Sequence, residues 1–243
     1  MSTTIVLSVS SFNKQLAKAR KEHRSSETYQ KLIDKSIVAS DLGADKIHLP
    51  YEQAYLLWQI AHGPLGKKDL FKDIHIDDEF LKRIYERINQ ENIRRDSVIF
   101  NCVTGLSLSA FLAEAGIESI GEEIAYGLAK CADHDSNTRL GVIDTEKEPI
   151  WDIVERYIPG FNQALIERGF SSESKCVLAR STLSLIRLHC ISLARLHSIH
   201  GVGDKRGQDI YTFFDNINNI HVLFERFLAR ASIYSDIKMK KST

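Results

Sequence analysis

The sequence is poor in residues that interrupt helices and in clusters that carry chemistry. Only 4 of its 243 residues are proline and 13 are glycine, so long stretches are free to run as helix. The 4 cysteines, Cys102, Cys131, Cys176 and Cys190, are widely and irregularly spaced. No C-x-x-C pair occurs among them, which argues against a zinc module and fits buried free thiols in a reducing compartment. Net charge is absent too. The 32 basic residues balance 32 acidic ones, which excludes a strongly basic nucleic-acid coat but leaves local basic patches open. No apolar run approaches the roughly 18–20 residues needed to span a bilayer. The opening MSTTIVLSVSSFNKQ has no positive segment before its short apolar run, so no secretory signal and no membrane association are expected, and the expected location is cytoplasmic.

What is present is helical periodicity. Hydrophobic residues make up 43% and charged residues 26% of a chain long enough for one large domain or two small ones. The expected fold class is all-α, with one short N-terminal strand at Thr3–Val9, where Ile5, Leu7 and Val9 alternate with smaller or polar partners. Ser10 or Ser11 is placed to cap a helix carrying Lys14, Lys18 and Lys21 on one face, with Arg24 nearby. That face reads as solvated, with phosphate contact as the minor alternative. Further helices are expected over Ser26–Leu42 and, with Pro50 in the first turn, over Tyr51–His62. Gly63-Pro64 breaks the chain before a short basic turn, Leu65-Gly66-Lys67-Lys68. Trp58 reads as core. Asp77 and Asp78 open a helix through Ile88 and read as caps rather than as a metal pair, because no third ligand accompanies them.

Helices follow at Leu106–Ala115 and Ile120–Ala132. The polar stretch from Asp133 to Pro149 reads as a long surface loop, in which Asp133, His134 and Asp135 are solvated rather than ligating. Helices resume at Ile150–Tyr157, Gly160–Arg168, Ser172–His189 and Asn219–Ser232. The third of these is apolar enough to be a central packed helix. The tail Lys238-Met239-Lys240-Lys241 reads as basic and disordered. Three regions are expected: 1–63, helical and either partner-docking or ordinary core; 64–236, a DNA-binding domain containing the helix-hairpin-helix segments and the loop at 133–149; and 237–243, the basic tail.

One stretch points to function. In Leu196–Leu223, LHSIHGVGDKRGQDIYTFFDNINNIHVL, the residues Leu196, Ile199, Gly201, Val202, Gly203, Gly207 and Ile210 fit the helix-hairpin-helix pattern h-x-x-h-x-G-h-G-x-x-x-A/G-x-x-h. Gly201 and Gly203 permit positive φ and close approach, so the free N–H groups of the following turn point at a phosphate. Lys205 and Arg206 add charge in the same turn. Gly207 lets the two helices approach. Such contacts position a protein on DNA without reading its sequence. An earlier copy, with Gly116, Ile117, Ser119, Ile120, Gly121 and Ala125, is weaker. Ser119 holds the leading glycine position, Glu122 and Glu123 follow the turn, and packing and DNA contact remain equally open for it.

These two segments resemble the helix-hairpin-helix region of NAD-dependent DNA ligases. Ala115-Gly116-Ile117-Glu118-Ser119-Ile120-Gly121-Glu122-Glu123-Ile124-Ala125 is similar to that family's L-G-I-x-x-V-G-E-x-x-A. The run from Val202-Gly203 through Ile210, Phe213-Phe214 and Asn219 to Val222-Leu223 resembles its V-G-x-x-x-A-x-x-I-x-x-F-F-x-x-x-x-N-x-x-V-I. The segment Asp69–Ala115 corresponds loosely to the preceding hairpin pair. The departures are as informative. There is no K-x-D-G adenylation motif, no four-cysteine zinc module, and nothing that reads as an OB barrel or a BRCT domain. The gap between the hairpins is long, and residues 1–60 match nothing in the family.

The resemblance implies the non-adenylating half of a split ligase, similar to those of some bacteriophages. Its partners would be nicked double-stranded DNA and an adenylating subunit. NAD and magnesium would belong to that partner, and this chain would bind no cofactor or metal and carry no catalytic residue. The site residues implied are Gly201, Val202, Gly203, Lys205, Arg206 and Gly207, with Gly116, Ser119 and Gly121 as a second contact. The alternative is a standalone, sequence-independent DNA-binding or architectural protein. An enzyme in its own right is disfavoured, since no acidic cluster on a strand, Cys/His pairing or phosphate-binding P-loop is present.

Overall fold

A short run of β-favouring apolar residues, Ile5-Val6-Leu7, forms a strand near the start of the chain, β1 (Thr4–Ser8). The computed structural model describes residues 4–18, 27–50, 53, 57, 74–133 and 148–242. These divide into two units, residues 1–69 and 70–243. In the first, β1 pairs antiparallel with β2 (Lys46–Pro50), with Leu7 opposite Ile47 and Thr4 opposite Pro50. This second strand was not expected. Its pairing partner, forty residues away in sequence, settles what local pattern did not, and Pro50 is the last residue of the strand. Helix α1 (Val9–Ala17) begins one turn earlier than expected, because Ser8 accepts a bond from the Ser11 N–H. Helix α2 (Glu27–Asp41) follows. Phe12, Leu16, Leu32, Ala39, Ile47, Leu49 and Leu57 are buried in this unit, whereas Ile37, Val38 and Leu42 stand exposed. Of the expected Tyr51–His62 helix only Gln53 and Leu57 are described, and both are helical; Trp58, the Gly63-Pro64 break, the basic turn to Lys68, Lys21, Arg24 and most of the 133–149 loop lie outside the described residues.

The described residues of the second unit are mostly helical. Asp77 caps α3 (Asp78–Gln90) by accepting from the Phe80 N–H at 3.1 Å, as capping rather than metal binding requires. Helix α4 (Asp96–Thr104) ends at Gly105, whose φ of +70° is left-handed. A Cβ at Gly105 would also lie 2.5 Å from the ring of Tyr234, so both conformation and packing call for glycine. Next come α5 (Leu108–Glu114), α6 (Glu122–Ala132), α7 (Ile150–Tyr157) and α8 (Phe161–Glu167).

Helix α9 (Ser172–His189) is the axis of the unit, packing on α3, α4, α6, α7 and the last helix, α12 (Ile217–Ser242). Two of its buried hydroxyls bond back into their own helix, Ser181 to the Val177 carbonyl and Thr182 to that of Leu178, and a third, Ser174, donates to the Asp78 carbonyl of α3, so these three sit in the core satisfied. Aromatic rings run through the same core: Phe100 lies 5.2 Å from Phe111 and 5.1 Å from Phe227, and Phe161 lies 5.9 Å from Phe224. Between α9 and α12 come α10 (Leu193–His197) and α11 (Asp204–Asp215).

Asp96 is buried and accepts from both Arg180 and Arg187. Burial pushes its carboxyl up, against the opposing pull of Arg187 and Arg180. Replacing Asp96 with Asn would strand the buried Arg187 charge, and a loss of about 3 kcal/mol is expected, measured by urea unfolding. A change below about 0.5 kcal/mol would mean the guanidinium is solvated after all.

The expected all-α class holds, with one two-stranded sheet among the described residues. No helix among those residues is long and apolar enough to cross a membrane. The basic tail differs from expectation: α12 continues through Lys238, Lys240 and Lys241. Tyr234, wedged between Gly105 and the edge of Phe80 at 5.8 Å, holds the helix beyond Ser232.

Candidate nucleic-acid interface

Each hairpin is built by a short capped helix, a tight turn and a second helix whose N-terminus is bare. In the second hairpin, Ser192 caps α10 by accepting from the Arg195 N–H. The chain then turns through Ile199 and Val202, both buried, with the Val202 N–H bonded to the Ile199 carbonyl at 3.1 Å. Gly201 has φ +79°, which requires glycine or a strained substitute. Gly203 differs from expectation. Its φ is −84° with ψ 177°, an extended N-cap that any residue adopts. The value of glycine there is the absence of a side chain. Nothing caps the first N–H groups of α11 from below, which leaves them to a ligand.

Lys205 and Arg206 are exposed in that first turn. Arg206 also donates to the Gly201 carbonyl at 3.0 Å and so ties the turn together. The one acid of the turn, Asp204, lies 3.9 Å from the His197 ring, on the side of the preceding helix. Gly207 is buried, and a Cβ there would lie 2.6 Å from the far end of the His197 ring. That ring is partly exposed and can swing, so the demand for glycine is softer than the sequence suggests. Beyond α11, the Asn219 amide donates to the Phe213 carbonyl at 2.9 Å, and His189 Nδ1 bonds the Phe214 carbonyl at 2.7 Å. The Phe213-Phe214…Asn219 pattern is thus a clamp on the end of α11.

The first hairpin repeats this backbone closely. Ser119 has φ +70°, matching Gly201. Gly121 is an extended N-cap with φ −92° and ψ 178°, matching Gly203, and again no side chain caps the helix. The Ile120 N–H bonds the Ile117 carbonyl at 3.1 Å, and the Ala125 N–H bonds that of Gly121 at 2.9 Å. The second hairpin makes the same two bonds at 3.1 and 2.8 Å. Gly116, at φ +63°, reverses the chain after α5. Arg226 on α12 donates to the Ala115 carbonyl, which anchors this end of the hairpin.

No family model, curated protein or solved structure matches this chain.

The two turns lie side by side. His200 Nδ1 of the second lies 2.8 Å from Glu123 Oε1 of the first. Between them is an open groove of about 460 Å³, with Ser119, Glu122 and Glu123 on one side and Gly201 and Arg206 on the other. Of the sequence-derived site residues, Ser119, Gly121, Gly201 and Arg206 line this groove; Gly203 and Lys205 are exposed on the second hairpin and Gly116 on the first, whereas Val202 and Gly207 are buried beneath the second turn. Among the described residues no group of three or more His, Cys, Asp or Glu is arranged to hold a metal ion. The exposed Lys14 and Lys18 belong to the first unit.

Gly127 was missed by motif reading. It lies on α6, and a Cβ there would overlap Cγ2 of Ile199, at the base of the second turn. Isoleucine is stiff at χ1, so it cannot yield as His197 can. Gly127→Ala is expected to part the hairpins and destabilise the unit by about 1–3 kcal/mol, read as a lowered Tm. An unchanged Tm would show that the two turns are not locked through this contact. The only sequence signal was a glycine in the middle of a good helix, where it is unfavourable unless something packs there.

Proposed function

We propose that this chain is the DNA-binding subunit of a NAD-dependent DNA ligase. It grips nicked duplex DNA through backbone phosphates while a partner chain supplies adenylation and sealing. The observation that carries this is the second hairpin: an uncapped 12-residue helix following a left-handed glycine, with Lys205 and Arg206 exposed in its first turn. The N–H groups of that turn and the positive end of the helix dipole favour a phosphate oxygen, and the two cations add attraction at close range. Val202 and Ile210, both buried, hold the turn against the helix without contacting the ligand. No step of catalysis is assigned to this chain. NAD and magnesium would belong to the partner, and the exposed Ile37, Val38 and Leu42 of α2 offer that partner an apolar contact. The setting implied is the cytoplasm, that of the host if the chain is phage-encoded.

The alternative, a standalone DNA-binding or architectural protein, uses the same second hairpin and needs no partner chain. Purification from the native host separates the two. A ligase subunit should bring down a chain carrying K-x-D-G, and the mixture should seal a labelled nick with NAD and Mg²⁺. Binding of nicked DNA with no such companion would favour the standalone protein, and no binding at low salt would remove both readings.

A further inference from the structure

We propose that the paired hairpins hold one strand of DNA only, the second seating its phosphates and the first turning the other strand's phosphates away. This rests on the DNA-binding reading above and specifies the form of nucleic acid that the site takes. Because the two backbones agree at the left-handed residue (Ser119 and Gly201), at the extended N-cap (Gly121 and Gly203) and in the two hydrogen bonds that close each turn, the difference in what the two turns bind lies in their side chains. Between residues 117 and 125 there are three carboxylates, Glu118, Glu122 and Glu123, and no cation. Between residues 199 and 207 there are two cations, Lys205 and Arg206, and one carboxylate, Asp204. Glu123 stands where the second hairpin has Lys205.

A carboxylate in the first turn of a helix complements the positive helix end. Glu122 and Glu123 therefore satisfy the charge of α6 that a phosphate would otherwise meet. Glu123 also reaches across to His200 of the second turn, which places its negative charge beside the groove shared by the two turns. A second DNA backbone entering that groove opposite Arg206 would face two carboxylates. The first hairpin keeps the phosphate-binding backbone and closes it with its own acids. Glu122 and Glu123 are then specificity-determining residues: they limit the contact to a single backbone, as in single-stranded DNA or one strand of a duplex.

The test compares a 20-nucleotide single strand with a duplex of the same length, by fluorescence anisotropy on the full chain at several salt concentrations. The wild-type chain should bind the two within about threefold of each other, with a salt dependence corresponding to about two or three phosphates. Glu122→Gln with Glu123→Gln should strengthen duplex binding about tenfold and single-strand binding by less than half as much. Each single variant should give an intermediate gain, and thermal unfolding checks that each remains folded. Duplex affinity unchanged or weakened in the double variant overturns the proposal, as does a wild-type preference for duplex above about twentyfold. If the wild-type chain binds neither DNA at low salt, the DNA-binding reading itself falls and takes the proposal with it. Binding that Lys205→Glu abolishes, but that the acid-to-amide variants leave unchanged, removes the proposal alone.

Discussion

Reversing the charge at Lys205 and Arg206 together is expected to weaken binding of nicked duplex about 100-fold near 50 mM salt. Each cation that neutralises a phosphate contributes about 0.9 to the slope of log affinity against log salt on duplex DNA. Losing two should therefore flatten that slope by nearly two as well as lower the affinity. The reversal also places two new carboxylates on the bare end of α11, reproducing the acidic first turn that the first hairpin has in Glu122 and Glu123. Arg206 has a second role, since it donates to the Gly201 carbonyl, and its loss loosens the turn. Lys205 makes no such bond to the turn, so Lys205→Glu alone isolates the charge. It should account for about tenfold of the loss and about one unit of slope. Equal affinity of wild type and double variant across low and moderate salt would remove these residues from the interface.

Much of this architecture was legible in the sequence, and the exceptions have physical reasons. Ser172–His189 and Ile150–Tyr157 emerge with the boundaries expected, because caps and apolar stripes agree locally with the tertiary packing. Strand β2 was not legible, because Pro50 reads locally as the first turn of a helix and Lys46–Pro50 owes its state to β1. The end of α12 was misread because a polar tail ordinarily frays, whereas here Tyr234 packs against Gly105 and Phe80 from distant parts of the chain. Within the hairpins, motif spacing located every turn residue. It could not tell that Ser119 would take the left-handed conformation of Gly201, or that Gly203 would not. Gly127 and Glu123 acquire their roles only through contacts with the other hairpin, and no pattern within one motif encodes those.

Glu225 is expected to make the protein less stable as the pH rises, and Glu225→Gln should abolish that dependence. The residue lies within α12, buried to 8% exposure, and burial alone pushes its carboxyl from the ordinary 4.5 up to about 8. Between those two values the unfolded chain has released a proton that the folded chain still holds. Stability associated with the neutral carboxyl is therefore fully present below about pH 4.5, falls as the pH rises through the interval, and is lost above about pH 8. At about 1.4 kcal/mol for each pH unit of the interval, the full effect is about 3–5 kcal/mol. Glutamine keeps the shape and a hydrogen-bonding amide but cannot ionise. The variant and wild type should melt together near pH 4.5, and the variant should melt about 6–20 °C higher at pH 8.5, given about 2–4 °C for each kcal/mol in a unit of this size. Other groups titrate over the same range in both proteins, so the difference between the two Tm curves isolates this carboxyl. Parallel curves from pH 4.5 to 8.5 would show that Glu225 is ionised in the folded state, with water or a cation reaching it inside the helix bundle.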